Sequence, residues 1–463
     1  MLTLLLLLAS LVAGIHHFIV EPLYVNPKSK IPGPKIYALT RWRLALDDYT
    51  GSRTRAIHAL HLKYGPIIRI GPDELHCNNL NALRTIYGAG SGFERTWFYR
   101  MFDVYGKQNL FTFHTVKEHS ERKKLVANAY SKSLMLKGPA ARMVQEKVSQ
   151  YMSLIESNGD RPHEIFSTLH YFSIDAITHF LYGAKHGGTS ALRGNEQHRA
   201  LLNDIIDPTR RYLSWFAVHL PTLTKWLYTR TGLTERIITP VLPMQKPTTY
   251  TGIRKHALEA YESYQSAAQK DPNIVSAEPS IMSRLWPSHE SVNKSGKNVL
   301  DSSDIASECA DRLLAGIDTT ADTLMFLIWA LSRPQNHHIQ RRLIEEVRDI
   351  PEEMIEDGVP KLDAIDKLPY LDVVIKETLR LYAPLPASEP RSIGQPCTID
   401  GYSVPAVTIV NMSPYSLHRN ADVFPEPLRF DPNRWLGPAE QVAVMNRWFW
   451  AFSSGGRMCI GLQ

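Results

Sequence analysis

Ten residues near the end of the chain combine a cysteine, glycines and a cation within one short segment. They read Phe452-Ser453-Ser454-Gly455-Gly456-Arg457-Met458-Cys459-Ile460-Gly461. A cysteine thiolate that binds ferric haem needs backbone donors nearby, which limit its charge and set its basicity. Glycines let a tight loop pass close beneath a flat macrocycle. The alternative is a glycine-rich turn in which the cysteine is incidental.

Two other side chains of this segment have properties that a haem loop requires. Arg457, two residues before the cysteine, can donate a charge-assisted hydrogen bond to an acidic propionate. Phe452 can shield the sulfur from water. We therefore predict that Cys459 is the axial ligand of a haem iron, and that Phe452, Arg457 and Gly461 complete its loop.

A long helix is predicted from about residue 302 to 332. Apolar residues recur at close to every fourth position between Ile305 and Ile328, as on one face of a helix. Asp301 or Ser302 can cap its start, and Pro334 follows its end.

Midway along this helix, the sequence Ala315-Gly316-Ile317-Asp318-Thr319-Thr320 brings polar residues into the apolar pattern. Glycine and threonine are poor helix formers, and threonine hydroxyls can bond back to the preceding turn. We expect a kink with a water-filled groove here. The alternative is an ordinary helix whose polar spot faces solvent.

A shorter helix is predicted from Pro369 to about residue 382, since proline favours the first helical position. It places Glu377 and Arg380 three residues apart on one face, where their side chains can pair. By itself, such a pair is usually a solvated surface contact. A further arginine, Arg434, follows after the helix.

In this order and spacing, these segments resemble the cytochrome P-450 family, whose haem loop reads F-x-x-G-x-R-x-C-x-G. The resemblance implies that Cys459 holds the iron of haem b. It also implies that Asp318 and Thr319 deliver protons during dioxygen activation.

The resemblance further implies that Glu377, Arg380 and Arg434 form a buried triad behind the haem loop. The role of this triad in the family is structural rather than catalytic.

Propionate ligands are expected on two other segments by the same resemblance. The family usually has tryptophan, with arginine four residues later, where this chain has His119 and Lys123. Each can still donate to a carboxylate, and Arg122 is an alternative to Lys123. Arg391 is the further expected propionate ligand.

The resemblance covers essentially the whole chain. It implies a mainly helical fold, with one globular domain that has a small β-rich lobe near the N-terminus. We divide the chain into a transmembrane anchor (1–20), a proline-containing linker (21–35) and a cytochrome P-450 catalytic domain (36–463). Family members continue past the haem loop through a helix and a hairpin, so we expect a C-terminally truncated domain.

Residues 2–20 are almost wholly apolar and would span about 28 Å as a helix, close to the ~30 Å of a bilayer core. A cleaved signal peptide is the competing interpretation, but no Lys or Arg precedes the apolar run. Several Lys and Arg residues follow it, and by the positive-inside rule these stay cytosolic. We expect a single-pass protein of the endoplasmic reticulum membrane with a cytosolic catalytic domain.

Charge and cysteine content argue against several other classes of function. The formal net charge is +6 without a long Lys/Arg block, so nucleic-acid binding is not predicted. The four cysteines lack a C-x-x-C pair, which argues against a zinc site or a dense disulfide framework. We predict that Cys77, Cys309 and Cys397 are buried hydrophobes, and that His58 and His61 are surface histidines.

The chemistry implied by the resemblance is reductive activation of dioxygen and insertion of one oxygen atom into a lipophilic substrate. Electrons are expected from NADPH through a cytochrome P-450 reductase, with cytochrome b5 as an alternative donor. The histidine in place of tryptophan and the run 417–427 are most similar to fungal members that tailor secondary metabolites. The candidate pocket residues are Trp97, Phe98, Phe102, Phe113, Leu313, Ala315 and 385–388.

Two other functions stay open at this point. The same haem could catalyse isomerisation or dehydration without net oxygenation, although Asp318 and Thr319 argue against this. The shortened chain could instead be a haem-poor, inactive member of the family, since the four residues after Cys459 are too few to nucleate a helix.

Overall fold

The computed structural model describes residues 1–229, 232–241, 251–271, 279–290 and 300–462. Helices make up most of these residues, which confirms the predicted fold class. In chain order, the α-helices are α1 (Leu2–Ile15), α2 (Lys35–Leu39), α3 (Trp42–Tyr49), α4 (Arg53–Tyr64), α5 (Leu80–Tyr87), α6 (Val116–Val126), α7 (Lys132–Met135), α8 (Gly138–Glu156), α9 (Ile165–Tyr182), α10 (Glu196–Arg199), α11 (Asn203–Ile206), α12 (Thr209–His219), α13 (Pro221–Thr229), α14 (Leu233–Ile238), α15 (Thr251–Lys270), α16 (Ile281–Glu290), α17 (Ser302–Ser332), α18 (His337–Arg348), α19 (Leu362–Ile365), α20 (Pro369–Leu381), α21 (Pro414–Leu417) and α22 (Ala439–Trp448).

The strands of the described residues are short. They are β1 (Ile67–Gly71), β2 (Glu74–Cys77), β3 (Glu94–Arg95), β4 (Ile355–Glu356), β5 (Val359–Pro360), β6 (Arg391–Ser392), β7 (Cys397–Ile399), β8 (Tyr402–Val404) and β9 (Ile409–Asn411). Five of them form a sheet in the order β1-β2-β9-β6-β3, and the others form two hairpins.

The main sheet joins distant parts of the chain. Strand β2 pairs in parallel with β9, and β3 pairs antiparallel with β6. The small β-rich lobe therefore takes strands from before residue 100 and from beyond residue 390. Strands β3 and β6 each contribute a residue to the candidate site, and their pairing places these residues next to each other.

Helix α17 has the bounds that the apolar periodicity predicts. Asp301 and Asp304 form a capping box at its start, in which each side chain accepts a hydrogen bond from the other residue's backbone N–H. Such a box satisfies two donors that a helix end leaves open. The N-terminal half of α17 is buried against α9, α15 and α16 in the largest hydrophobic cluster.

Gly316 lies where α17 packs against α9. Helix α17 continues through it without a break. A Cβ atom at this position would lie 2.6 Å from Cγ1 of Ile177 on α9, closer than carbon atoms can approach. The glycine therefore allows α9 and α17 to pack closely.

The apolar N-terminus forms one helix over Leu2–Val25, α-helical to Ile15 and π-helical beyond. No residue of its α-helical part is buried. By length and composition, two helices of the described residues could cross a membrane, this one and α17. They differ in that α17 packs within the protein core.

The cysteine predictions agree with the structure in part, and one histidine prediction is wrong. Cys77 and Cys309 are buried, while Cys397 is half-buried. His61 is only 6% exposed, and its Nε2 lies 2.7 Å from Nδ1 of His76 on β2. Burial lowers the pKa of His61 to about 4. Its partner comes from another element, which the local sequence cannot reveal.

Candidate active site

The cysteine loop is held against the end of α5. Gly455 has φ +65°, and a side-chain carbon there would overlap the carbonyl oxygen of Tyr87, so the position requires glycine. The backbone N–H of Cys459 donates to the carbonyl oxygen of Phe452 at 2.9 Å. Phe452 thus closes the loop through its backbone in addition to any shielding by its ring.

The sulfur of Cys459 has both a backbone donor and a cation near it. Cys459 is exposed, in contrast to Cys77 and Cys309. Desolvation by the surrounding protein raises the pKa of its thiol, while a hydrogen bond from the Gly461 backbone and the charge of Lys123 act in the opposite direction. A donor and a cation beside the sulfur are what a metal-bound thiolate needs.

Four basic side chains converge on one side of this loop. The pairing of β3 with β6 places Arg95 directly opposite Arg391. Arg457 extends from the loop and donates to the carbonyl oxygens of Phe113 and His114, at 2.9 and 2.7 Å.

The fourth member is His119 on α6, which is 4% exposed. The positive charges of Arg95, Arg391 and Arg457 all act on its ring. The structure therefore brings together the predicted residues His119, Arg391 and Arg457.

Arg95 was not identified from the sequence. It lies in a two-residue strand between a glycine-rich stretch and the aromatic segment Trp97–Phe102. Its relevance depends on the pairing of β3 with β6, which joins segments far apart in the chain. In the sequence, Arg95 is a single arginine between Glu94 and Thr96 without a motif around it, so no local signal identifies it.

Electrostatics of the cluster show that its positive charges are poorly balanced. Burial, followed by the neighbouring positive charges, lowers the pKa of His119 to about 3 and that of Arg457 to about 9. Burial also lowers the pKa of Arg95 to about 10. The carboxylate that bonds directly to the cluster is Glu389, which accepts from Arg391 Nη2 at 3.2 Å.

Unused donors give a test of whether a propionate-bearing group fits here. The Nε atoms of Arg95 and Arg457 are buried without a hydrogen-bond partner. The His119 ring also makes no hydrogen bond to any described residue. Buried donors without acceptors are unfavourable. An anion with several oxygen atoms would satisfy them, so the residues present fit the propionates of haem beside a cysteine ligand.

The other two cations of α6 have different partners. Lys123 Nζ donates to the carbonyl oxygens of Gly456 and Met458 in the cysteine loop, at 3.3 and 3.2 Å. Arg122 Nη1 donates to Glu308 on α17 at 2.7 Å. Arg122 therefore points away from the cluster and does not replace Lys123.

A second arginine cluster lies behind the loop. Glu377 and Arg380 are fully buried and share two hydrogen bonds of 2.8 Å. Arg434 Nε and Trp435 Nε1 also donate to the Glu377 carboxylate, at 3.0 and 3.1 Å. The structure thus brings Glu377, Arg380 and Arg434 into one contact, as expected of the triad.

Asp318 and Thr319 are the polar pair of α17. The Thr319 hydroxyl donates to the carbonyl oxygen of Ala315 at 2.7 Å, which is the predicted back-bond. Asp318 Oδ2 lies 3.7 Å from Arg210 Nη2, and its Oδ1 is buried without a partner. Desolvation raises the pKa of Asp318 although Arg210 opposes the change.

The predicted pocket residues differ in how they are exposed and packed. Leu313 is fully buried in the main core, so the prediction that it lines a pocket is wrong, whereas Ala315 is exposed. Phe98 and Phe102 pack edge to face with centroids 5.9 Å apart. They form an aromatic wall in the segment between β3 and α6.

Comparison with known proteins concerns the family of the chain. A model of the cytochrome P-450 family matches residues 32–463. Cytochrome P-450 monooxygenase orf2 of Aspergillus niger is 28% identical, covering 94% of this chain and 82% of that protein. Cytochrome P-450 monooxygenase stcB of Emericella nidulans is 28% identical, covering 95% and 79%. Cytochrome P-450 monooxygenase aflV of Aspergillus parasiticus is 27% identical, covering 96% and 83%.

Among solved structures, a cyanobacterial cytochrome P-450 with bound retinoic acid aligns with a TM-score of 0.64. The two sequences are 18% identical, and the alignment covers 87% of this chain and 81% of that one. At this identity the likeness concerns the fold alone. It agrees with the mainly helical architecture that the motifs imply.

Proposed function

Since the chain belongs to the cytochrome P-450 family, we propose that it is a haem-thiolate monooxygenase with Cys459 as the iron ligand. Its class, an oxidoreductase of the monooxygenase type, follows from the family and from the fungal relatives. The observation that carries the proposal is that the Cys459 loop lies beside a cluster of basic side chains in which the Nε atoms of Arg95 and Arg457 are buried without a partner.

Binding of the cofactor would be divided among these residues. Cys459 would supply the thiolate that holds the haem iron, and the Gly461 backbone N–H would limit its charge. Arg95, Arg391 and Arg457 would bind the propionates. His119 would donate a hydrogen bond as a neutral ring, because its lowered pKa keeps it uncharged near neutral pH.

Haem b, when bound, would supply reductive activation of dioxygen and insertion of one oxygen atom into a substrate. Asp318 and Thr319 would hold and pass the protons that this chemistry consumes. The raised pKa of Asp318 suits such a role, since a carboxyl that accepts and releases protons works best with a pKa nearer neutrality. The Thr319 hydroxyl is fixed by Ala315 one turn earlier.

A lipophilic substrate is inferred from the aromatic wall near Phe98 and Phe102. Because the relatives are fungal monooxygenases, we infer a tailoring step in the synthesis of a fungal secondary metabolite. Electrons would come from NADPH through a cytochrome P-450 reductase, with cytochrome b5 as an alternative donor.

The test of the site uses two variants with separate readouts. Cys459→Ser should abolish the red-shifted carbon-monoxide band of the reduced protein, since no other strong axial donor lies in the loop. Thr319→Ala should keep that band and divert electrons from product to peroxide. A Cys459→Ser protein with an intact band would overturn the ligand, and an unchanged product yield per electron in Thr319→Ala would overturn the proton role.

The helix Leu2–Val25 supports a further proposal, an anchor in the endoplasmic reticulum membrane with the catalytic domain in the cytosol. Removal of residues 1–20 should release at least part of the protein from membranes in a flotation assay. Asn293, which lies outside the described residues, should stay unglycosylated. A glycan at Asn293 would place the domain in the lumen instead.

A further inference from the structure

His418 lies between the buried triad and the cysteine loop. It follows α21, and its side chain is fully buried. Its ring stacks on Phe449, with ring centroids 5.4 Å apart and planes inclined by 8°. None of the roles proposed above uses this residue.

Each ring nitrogen of His418 takes part in one hydrogen bond. The backbone N–H of Trp450 donates to Nε2 at 2.7 Å, so Nε2 carries no proton. The proton therefore resides on Nδ1, which donates to the carbonyl oxygen of Arg380 at 3.0 Å. Burial and the charge of Arg380 lower the pKa of His418 to about 3, so the ring is neutral near neutral pH.

His418 is connected to the triad through Arg380. Besides accepting from Nδ1, Arg380 donates from Nη1 to the carbonyl oxygen of His418 at 2.9 Å. The same guanidinium is held by Glu377. Two hydrogen bonds thus join His418 to Arg380, and Glu377 fixes the orientation of the pair.

His418 is connected to the start of the cysteine loop through Trp450. Trp450 is 2% exposed, and its Nε1 donates to the Ser454 hydroxyl at 3.0 Å. That hydroxyl donates in turn to the carbonyl oxygen of Tyr87 at 3.2 Å, beside the point where Gly455 passes. The path of the loop toward Cys459 is therefore set by Trp450 and its two hydrogen bonds.

We propose that His418 is a positioning residue that fixes the Cys459 loop relative to the Glu377–Arg380–Arg434 triad through one neutral tautomer. It rests on the proposed haem-thiolate function. The triad then acts on Cys459 through a defined side chain, and the position of the Cys459 loop depends on the hydrogen bond from Trp450 to His418.

The test compares three substitutions that keep different parts of the connection. His418→Gln can still accept from the Trp450 N–H, His418→Asn can still donate to Arg380, and His418→Phe keeps only the stacked ring. Haem content, the share of reduced protein with the red-shifted carbon-monoxide band, and the thermal midpoint are measured for each. His61→Phe is the matched control, since His61 is also buried and bonded to a distant element.

We expect His418→Phe to lose the red-shifted band severalfold, His418→Asn to lose nearly as much, and His418→Gln to retain most of it. His61→Phe should lower the thermal midpoint comparably and leave the band unchanged. Equal bands in His418→Gln and His418→Asn, or equal band loss in His61→Phe, would overturn the proposal. A Cys459→Ser protein that keeps the band would refute the proposed function itself, so the two failures are distinguishable.

Discussion

Two arginine clusters flank the cysteine loop, and they differ in how completely their donors are used. Every N–H group of Arg380 has an acceptor: two bonds to Glu377, and one each to the carbonyl oxygens of His418, Pro427 and Arg429. In the other cluster, the Nε atoms of Arg95 and Arg457 are buried without a partner.

The difference separates a structural role from a binding role. A buried arginine whose donors are all satisfied within the chain has nothing left to offer a ligand. Arg95 and Arg457 each keep a buried Nε without a partner, and burial and neighbouring positive charges lower the pKa of both. Such donors are arranged for an anion that the protein itself does not supply. We call the two groups the closed cluster (Glu377, Arg380, Arg434) and the open cluster (Arg95, Arg391, Arg457, His119).

The strongest test of the comparison is loss of the carboxylate in the closed cluster. Glu377→Ala leaves the buried charge of Arg380 unpaired, so we expect the free energy of unfolding to fall by about 3–5 kcal/mol. Denaturant unfolding measures this loss. Glu426→Ala is the control, because it breaks an exposed Glu–Arg pair of the same spacing and should cost no more than about 1 kcal/mol. Similar losses in the two variants would contradict a closed cluster.

The open cluster should respond in the opposite manner. Arg457→Gln should weaken haem binding by about 1.5–3 kcal/mol, the usual value of a hydrogen bond to a charged group. Stability of the haem-free protein should change little, since relief of repulsion among like charges offsets the loss of the hydrogen bonds from Arg457 to the carbonyl oxygens of Phe113 and His114. Haem titration and unfolding of the haem-free protein measure the two quantities. A large loss of haem-free stability would show that Arg457 belongs to the structural type.

Acidification tests the histidine of the open cluster. The pKa of His119 is about 3 in the folded chain and ~6.5 when unfolded, so protons bind the unfolded state more tightly. Its contribution to stability is complete above pH ~6.5 and declines as the pH falls toward 3, by no more than about 1.4 kcal/mol per pH unit.

His119→Phe should therefore flatten the fall of haem-free stability in this range, as measured by denaturant unfolding at several pH values. His418 and His61, whose pKa values are lowered to about 3 and about 4, remain and contribute to the residual slope. An unchanged pH profile in the variant would show that His119 is not the buried, electrostatically stressed group described above.

The smallest effect is expected at Lys123, whose ammonium binds the carbonyl oxygens of Gly456 and Met458. Lys123→Met should weaken haem retention by about 0.5–1.5 kcal/mol, and Lys123→Arg should restore most of it. Dissociation of haem to an excess of an apo-globin acceptor gives the rates. A loss as large as that of Arg457→Gln would place Lys123 in the open cluster as a propionate ligand.

Local sequence patterns determined a large part of this protein. The bounds of α17, its cap at Asp301, the start of α20 at Pro369 and the back-bond of Thr319 all follow from interactions within a few residues. The pairing of Glu377 with Arg380 is likewise set by helical spacing. The cysteine loop was recognisable because its glycines, arginine and cysteine lie within ten residues.

Only the tertiary structure decided which of the basic residues act together. Arg95 joins Arg391 through a strand pair between distant segments, and Arg122 is drawn away by Glu308 on another helix. The role of Gly316 depends on Ile177 of α9. The burial of His61 depends on His76, and the task of His418 on Arg380 and Trp450. In each case the partner is distant in sequence, so no local periodicity or spacing contains the information, and packing of the whole chain supplies it.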